Sequence, residues 1–285
     1  MKNKLKNYIS ILFCFILLSE NLNANEPFIF NVTEIEILED GNQINGYKGG
    51  TATSQDGSTI TAKNFFYNKL TNILETSGNV KYFDKIKNIT ITTDKAIYFK
   101  NQEKIFTTGN SKAINDNNTI TASILEYDKI NNIFKAKKNA VANDFEKDAT
   151  IYADKITYFK NEEKIFTKGR TKALIENKYK FNSENVSYYR NLGDLISQKK
   201  SSVEDDSGNI YKLESFTYNI NKELLKGKEV NVFAKVDENK IDQYFFSEGF
   251  FNFKDQTHIA KETKIKIHKN VFENEMLKLE IDPEL

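Results

Sequence analysis

A tyrosine recurs along this chain at nearly constant intervals, each time seven residues after an apolar or aromatic residue. The six pairs are Ile60/Tyr67, Ile91/Tyr98, Ile120/Tyr127, Ile151/Tyr158, Phe181/Tyr188 and Tyr211/Tyr218, and successive pairs are 31, 29, 31, 30 and 30 residues apart. The segments Thr92–Ala113 and Tyr152–Ala173 are identical at 14 of 22 positions. Such a register indicates a one-dimensional array in which one structural unit is reused along the chain.

Each unit predicts two antiparallel strands joined by short polar turns. Turn-forming residues lie between units, as at Asn115–Asn118, and again after the tyrosine, as at Asn68–Asn72. The chain has only 2 prolines, and it is rich in the aromatic and β-branched residues that suit a pleated sheet. We therefore predict an all-β protein, a long antiparallel meander built from two-strand repeats of about thirty residues.

The apolar column changes parity within each unit. It starts on one parity, as at Ile60 and Ala62, and continues on the other, as at Phe65 and Tyr67. The change falls on two consecutive, mostly polar residues: Lys63-Asn64, Asp94-Lys95, Asp154-Lys155, Glu184-Asn185 and Glu214-Ser215. An extra residue that resets the face of a strand is a β-bulge, and bulges bend strands.

The return strands are predicted to change parity in the same way. Their apolar pairs are also seven residues apart: Ile73/Val80, Phe106/Ala113, Phe134/Val141, Phe166/Ala173, Ile196/Val203 and Leu225/Val232. A bulge at one level in every strand predicts a sheet creased along its length and folded over on itself, a β-jellyroll or β-taco with an apolar interior. The same residues would also form the core of a closed sandwich, so the pattern leaves open trough and closed core as alternatives.

The ends of the chain predict export and free sheet edges. Residues 1–24 have the basic start, short apolar stretch and small residue of a cleaved signal peptide, and the only cysteine, Cys14, lies within them. Residues 25–272 form the predicted repeat domain, and 273–285 a charged tail. The first and last strands of an open meander expose unpaired backbone groups that can pair with another chain, although irregular loops could equally cap them.

No signature of catalysis, cofactor binding or nucleic-acid binding is found. The two histidines, His258 and His268, have no metal-ligand spacing, and Asp205-Asp206 followed by Ser-Gly-Asn is typical of a hairpin turn. The 41 basic and 40 acidic residues are close to balance, without a long basic stripe. We therefore expect a protein that is not an enzyme, needs no cofactor or metal, and binds no nucleic acid.

These strands resemble a known family. The form Ile-x-Ala-x-x-x-x-Tyr, followed by a turn and a strand ending in Gly-Asn-Val, is most complete from Thr59 to Val80. It is similar to the organic-solvent-tolerance (OstA-like) domain of the lipopolysaccharide transport system. That domain makes up the periplasmic bridge protein and the N-terminal part of the outer-membrane lipopolysaccharide-assembly protein. The resemblance covers roughly residues 26–272 and six repeats in register.

The resemblance implies a periplasmic protein whose folded sheet holds the acyl chains of lipid A. It also implies edge-to-edge stacking with other lipopolysaccharide-transport proteins, through which the chain would reach the outer membrane. Carried over by position, the lipid-binding candidates are Ile60, Phe65, Tyr67, Ile91, Tyr98, Phe106, Ile120, Leu125, Tyr127, Phe134, Ile151, Ile156, Tyr158, Phe166, Phe181, Val186, Tyr188, Phe216 and Tyr218. Lys129, which directly follows one of these strands, is expected to point outward.

Two departures from the family shape the expectation. The chain has more repeats than the usual bridge protein, and it lacks the long run of barrel strands and the cysteines of many assembly proteins. A barrel-less or truncated assembly protein is therefore favoured over a long bridge protein. The alternative from another class is a secreted structural or adhesive β-repeat protein with a closed core and no lipid ligand. A carbohydrate-processing β-solenoid is disfavoured, because clustered carboxylates and exposed aromatic residues at one level are missing.

Overall fold

The computed structural model describes residues 27–237 and 240–268. The predicted signal peptide and charged tail lie outside the described residues. Four single-turn 3-10 helices, Glu39–Gly41, Lys100–Gln102, Lys160–Glu162 and Ile220–Lys222, connect strands. The strands are β1 (Phe28–Leu38), β2 (Gln43–Ser54), β3 (Thr59–Ala62), β4 (Asn64–Asn68), β5 (Ile73–Asp84), β6 (Ile89–Phe99), β7 (Lys104–Asn115), β8 (Asn118–Asp128), β9 (Ile133–Asp144), β10 (Ala149–Phe159), β11 (Lys164–Ile175), β12 (Tyr179–Glu184), β13 (Ser187–Tyr189), β14 (Asp194–Ser197), β15 (Ser201–Glu204), β16 (Ile210–Leu213), β17 (Ser215–Asn219), β18 (Leu224–Lys235), β19 (Ile241–Asn252), β20 (Thr257–Lys261) and β21 (Lys264–Lys266).

The strands form one antiparallel meander in chain order, which confirms the predicted fold class. Five long strands are each broken into two half-strands, so that β2 pairs with both β3 and β4, and β11 with both β12 and β13. The same break separates β14 from β15, β16 from β17, and β20 from β21. Because every strand pairs with its neighbours in sequence, the repeat of the sequence becomes a repeat in space.

A line of bulges creases the sheet, as predicted. The ladder register shifts at the same level in the unbroken strands: Val32/Glu34, Ser77/Val80, Thr92/Lys95, Thr108/Ser111, Thr121/Ile124 and Ala153/Lys155. In β6 and β10 the shifts fall at the polar pairs Asp94-Lys95 and Asp154-Lys155 that the sequence predicted. Each long strand therefore has two halves, and their apolar faces turn toward one interior.

The strands that carry the repeat tyrosines, here called the outgoing strands, and the return strands that follow them contain different bulges. The prediction that the return strands change parity was therefore wrong for most of them. Opposite Asp94 of β6, strand β5 inserts both Gly78 and Asn79. One extra residue flips the face of the outgoing strand, whereas two extra residues leave the parity of the return strand unchanged. In β18, by contrast, Leu225 and Val232 both face inward as predicted.

This difference moves two predicted residues to the outer face. In β7, Ile105 is buried and the neighbouring Phe106 is half-buried on the other side, where its ring meets that of Phe99 at 5.4 Å between centroids. In β11, Ile165 is likewise buried and Phe166 is only half-buried. Phe106 and Phe166 therefore do not line the interior. Phe134 faces inward as predicted, and its proposed partner Val141 does not.

The crease requires glycine where successive bulges touch. Gly109 has a φ of +81°, and a Cβ there would lie 2.4 Å from Oδ2 of Asp94 in the preceding strand. Gly169 repeats the arrangement at +85°, with Oδ2 of Asp154 at 2.7 Å. A side chain would meet both backbone strain and a neighbouring carboxylate, so these two glycines allow adjacent strands to bend at the same level.

Candidate functional site

The apolar interior contains nearly all of the predicted lining residues. Apart from Phe106 and Phe166, each of them lies on the inner face and is at most 4% exposed. These residues are Ile60, Phe65, Tyr67, Ile91, Tyr98, Ile120, Leu125, Tyr127, Phe134, Ile151, Ile156, Tyr158, Phe181, Val186, Tyr188, Phe216 and Tyr218. The repeat therefore brings together one continuous apolar surface, which runs across every unit of the sheet.

A row of buried hydroxyl groups accompanies this surface at the crease, and sequence reasoning missed it. Thr107 Oγ1 lies 2.7 Å from Ser111 Oγ, and Thr167 Oγ1 lies 2.7 Å from Thr171 Oγ1. Thr167 Oγ1 also accepts a hydrogen bond of 2.8 Å from the backbone N–H of Val186. These hydroxyls bond backbone groups that the bulges remove from the ladder. The signal was a hydroxyl residue two positions on either side of the bulge glycine.

The interior is filled by its own side chains. Tyr82, from one half of the sheet, lies with its ring centroid 6.3 Å from that of Tyr98 and 6.4 Å from that of Tyr127, both in the other half. Farther along the sheet, Phe181 and Tyr218 meet across the interior at 4.9 Å. Of the two arrangements that the sequence left open, the structure shows the closed one.

The two halves end in two rows of turns that face each other. We call the turns that follow the repeat tyrosines the first rim: residues 69–72, 100–103, 129–132, 160–163, 190–193 and 220–223. The opposite row is the second rim: residues 55–58, 85–88, 116–117, 145–148, 176–178 and 205–208. The line along which they meet is the mouth. Within the described residues the strand ladders do not cross it, and side-chain contacts tie the two rims together.

The repeat tyrosines support the first rim. In four of the six, the hydroxyl donates to the residue five positions later, which has a left-handed backbone at the end of the turn: Tyr67 to Asn72, Tyr98 to Glu103, Tyr127 to Asn132 and Tyr158 to Glu163. Burial raises the pKa of the phenols of Tyr98, Tyr127 and Tyr158, and that of Tyr158 reaches about 12. Sequence reasoning missed this pairing, although the fifth position after each tyrosine is Asn, Glu or Gly throughout.

A first ionic contact across the mouth centres on Lys129. Its Nζ binds the carboxylate of Asp56, donates to Ser58 Oγ at 2.9 Å, and lies 3.7 Å from Asp84 Oδ2 and 3.8 Å from Glu103 Oε2. Lys129 belongs to the first rim, whereas Asp56 and Ser58 belong to the second rim, 73 and 71 residues earlier in the chain. We call this group the Lys129 clasp. The expectation that Lys129 points outward was wrong, because the folded sheet carries it over the mouth and buries it.

A second ionic contact centres on Arg190. Its Nε donates to Asp144 Oδ2 at 2.9 Å, and its Nη1 binds the carboxylate of Glu163. The Tyr188 hydroxyl donates to the same Asp144 oxygen at 2.9 Å, since the fifth position after this tyrosine is Gly193 and offers no side chain. The side chain of Asp144 is 1% exposed and that of Arg190 9%. We call this group the Arg190 clasp.

Further side-chain hydrogen bonds tie the rims between and beyond the clasps. Lys87, in the second rim, donates to Asn132 Oδ1 at 2.7 Å and also to the backbone carbonyl of Lys129. Lys160 returns a bond of 3.1 Å to the carbonyl of Lys87. Toward the C-terminal end, the Tyr179 hydroxyl donates to Glu223 Oε2 at 2.8 Å. The mouth is therefore closed at several levels of the repeat.

The Lys129 clasp predicts an acid-sensitive contribution to stability. Burial alone would raise the pKa of Asp56, but the bonds from Lys129 and from the N–H of Ser58 outweigh it and lower the pKa to about 2. A lowered pKa in the folded state adds stability above about pH 4, which is lost as the pH falls toward 2. Because Asp56 is partly in water, we expect a contribution of about 1 kcal/mol. Urea denaturation of wild type and Asp56→Asn should show a difference at pH 6 that shrinks toward pH 2.5, and a constant difference would contradict the pairing.

The two ends of the sheet leave apolar inner surface uncovered. In β1, which pairs only with β2, Ile35 is 53% and Ile37 61% exposed on the inner face of the half that ends in the first rim. At the other end, Ile265 of β21 is 54% exposed on the opposite half, beside Tyr244. Both terminal strands also have a free edge within the described residues. The exposed inner surfaces at the two ends therefore lie on opposite halves of the folded sheet.

The described residues provide no metal site, and none of their helices is long and apolar enough to cross a membrane. His268 is partly buried, with its Nδ1 2.7 Å from Asp242 Oδ1. His258 is exposed beside the ring of Phe251. The Asp205 carboxylate accepts hydrogen bonds from the N–H groups of Ser207 and Asn209, which is the hairpin turn that the sequence predicted.

Comparisons with known proteins give a match at the level of structure. No protein-family model and no curated protein matches this chain. The chain is similar to the crystal structure of LptH, the LptA-homologous periplasmic component of the conserved lipopolysaccharide transport device from Pseudomonas aeruginosa. The two are 16% identical with a TM-score of 0.37, and the match covers 40% of this chain and 84% of that chain. At this similarity, the match carries no argument about function.

Proposed function

We propose that this chain is a lipopolysaccharide-binding component of lipopolysaccharide transport, working in the periplasm to shelter lipid A acyl chains in its apolar interior. The observation that carries the proposal is the continuous inner surface, which runs from one free sheet edge to the other and has its polar groups at the crease and mouth. The repeat of Ile-x-Ala and tyrosine, which resembles the OstA-like domain, supports it independently. The chain would act by binding alone, as neither an enzyme nor a cofactor-dependent protein.

The physical basis is transfer of acyl chains out of water. Each methylene group that leaves water contributes about 0.8 kcal/mol, while phosphates and sugars remain solvated outside the mouth. Since the inner surface repeats about every thirty residues, a bound chain meets similar contacts at each level. Many similar weak contacts allow a ligand to advance without a deep energy minimum, which suits transport better than storage.

The ends of the sheet suit stacking with related domains. The free edges of β1 and of the β20–β21 strand can each add a strand from another chain by backbone hydrogen bonding. The uncovered residues Ile35 and Ile37 at one end, and Ile265 at the other, would then be buried against a partner's opposite half-sheet. In this proposal the interior continues from one protein to the next, and the chain reaches the outer membrane through its partners.

Photocrosslinking from the interior tests the proposal. A photoreactive residue at Tyr127, which is fully buried, is expected to form adducts with purified lipopolysaccharide. The matched control is Tyr152, a tyrosine of the neighbouring outgoing strand that is 46% exposed on the outer face, and it should form few or none. Adducts are detected by the mobility shift of the protein on gels and by antibody against the lipopolysaccharide.

The alternative function is that of a structural or adhesive β-repeat protein. It is favoured by one observation, namely that the interior is filled by its own side chains and the mouth is closed. This alternative predicts no lipid adduct at Tyr127 or at Tyr152, with the β-sheet signal in circular dichroism unchanged. Equal adducts at both positions would indicate surface adsorption and would also contradict sheltering in the interior.

A further inference from the structure

We infer that the trough opens sideways along its mouth, and that the Lys129 and Arg190 clasps are the two gates that hold it shut. The inference rests on the proposed function and concerns how a ligand enters the site. Because the interior is filled, acyl chains can enter only if the two halves of the sheet separate. The line of separation must be the one at which the fewest backbone bonds break.

The mouth is that line. At the crease the two halves are one continuous chain, and within each half adjacent strands are held by ladders of backbone hydrogen bonds. Across the mouth, all described contacts involve a side chain. Some join two side chains, and in others the Lys87 or Lys160 side chain donates to a backbone carbonyl. Separating the rims therefore leaves the strand ladders intact and exposes the inner surface along its length.

The two clasps are ion pairs across the mouth. In each, a buried cation of the first rim binds a carboxylate of the opposite half: Lys129 binds Asp56, and Arg190 binds Asp144. In each, a first-rim carboxylate also lies close to the cation, Glu103 in one and Glu163 in the other. Opening separates each cation from the carboxylates of the opposite half but leaves it beside its first-rim carboxylate, so the cation keeps a counterion.

The charged groups of the clasps also indicate which class of ligand would open them. A phosphorylated headgroup offers oxyanions to the same ammonium and guanidinium groups that Asp56 and Asp144 occupy in the closed form. An amphiphile with anionic phosphates could therefore replace those carboxylates while its acyl chains enter behind them. A neutral amphiphile lacks this exchange and would open the mouth less readily.

Thiol probes behind each clasp report its opening without any ligand. Ala52 is 0% exposed and lies on the inner face two residues before Ser54, next to the turn that holds Asp56. Ala142 is 2% exposed and lies two residues before Asp144 on the same face. In the full chain with Cys14→Ser, which removes the only other cysteine, Ala52→Cys and Ala142→Cys are each combined with clasp variants. The rate of modification by a maleimide is then measured under native conditions.

Each clasp variant is expected to accelerate maleimide modification of the cysteine behind that clasp. Lys129→Met should raise the modification rate of Ala52→Cys about ten-fold or more, with little change at Ala142→Cys. Arg190→Met should do the reverse. The milder Asp56→Asn replaces a carboxylate whose side chain is 32% exposed, and it should act in the same direction as Lys129→Met with a smaller factor. Lys180→Met, which removes an exposed ion pair with Glu204, serves as the control and should change neither rate.

Three outcomes separate this inference from the function on which it rests. Unchanged thiol rates in all clasp variants would overturn the gating, whatever lipid the protein binds. Equal acceleration of both probes by every variant would indicate global loosening and would also overturn it. Selective acceleration, combined with no lipopolysaccharide adduct at Tyr127 even in the clasp variants, would support the gates and contradict the proposed lipid function.

Discussion

Tyr127→Ala is expected to lower the free energy of unfolding by about 4 kcal/mol. The side chain is fully buried, and its ring stacks on that of Phe134 at 4.5 Å between centroids. Its hydroxyl also reaches Asn132 in the first rim at 3.4 Å. Truncation therefore removes apolar burial, leaves a cavity at the centre of the sheet and frees one turn of the rim. Urea denaturation followed by circular dichroism measures the loss.

Tyr152→Ala is the matched control, since it removes the same side chain from the outer face of the neighbouring outgoing strand. We expect a loss below about 1 kcal/mol, because nearly half of this side chain is already in water. Comparable losses for the two variants would contradict the assignment of inner and outer faces. Phe166→Ala should lie between them, as its ring is half-buried on the outer face.

Arg190→Met is expected to cost about 3–5 kcal/mol, the second large effect. The substitution keeps an unbranched apolar stem and most of the volume of the side chain, but it leaves the carboxylate of Asp144 buried with the Tyr188 hydroxyl as its remaining side-chain donor. The backbone N–H groups of Glu146 and Lys147 still donate to this carboxylate, but a buried charge without its counterion is destabilising. The measurement is again the midpoint of urea denaturation, at neutral pH.

Two further variants show whether the stranded charge is the cause. Adding Asp144→Asn to Arg190→Met should recover part of the loss, because the amide can still accept from Tyr188 and has no charge to desolvate. Lys180→Met, in an exposed ion pair, should cost less than about 1 kcal/mol. If the double variant is less stable than Arg190→Met alone, the cost comes from lost packing and not from the charge.

The outgoing strands could be predicted in detail from the sequence, and the return strands could not. In Ile60, Ala62, Phe65 and Tyr67 the change of parity is visible in the sequence, because a single inserted residue shifts the inward-facing positions from even to odd numbers. In β7 and β11 two residues are inserted, so parity is unchanged and adjacent apolar residues such as Ile105 and Phe106 compete for the inner face. Both interpretations fit the pattern, and the pairing of strands across the bulge decides between them.

The ion pairs at the mouth could not be predicted from the sequence, for a different reason. Lys129 and Asp56 are 73 residues apart, and Arg190 and Asp144 are 46 apart. Each looks like an ordinary solvated turn residue, because the periodicity describes neighbours within the sheet and not the partners that the crease brings together. The hydrogen bond that four of the tyrosines make to the fifth residue after them was accessible in principle, since it lies within one turn.

Local patterns in the chain are enough to establish the repeat, the all-β meander, the level of the crease and the apolar face of the outgoing strands. These properties follow from short-range rules, namely the two-residue period of a strand, the turn residues between strands and the effect of an inserted residue on the face. The facing of the return strands, the closed packing of the interior and the pairing of charges at the mouth emerge only in the folded molecule. They depend on how the creased sheet twists and closes on itself, which no pattern within a single repeat records.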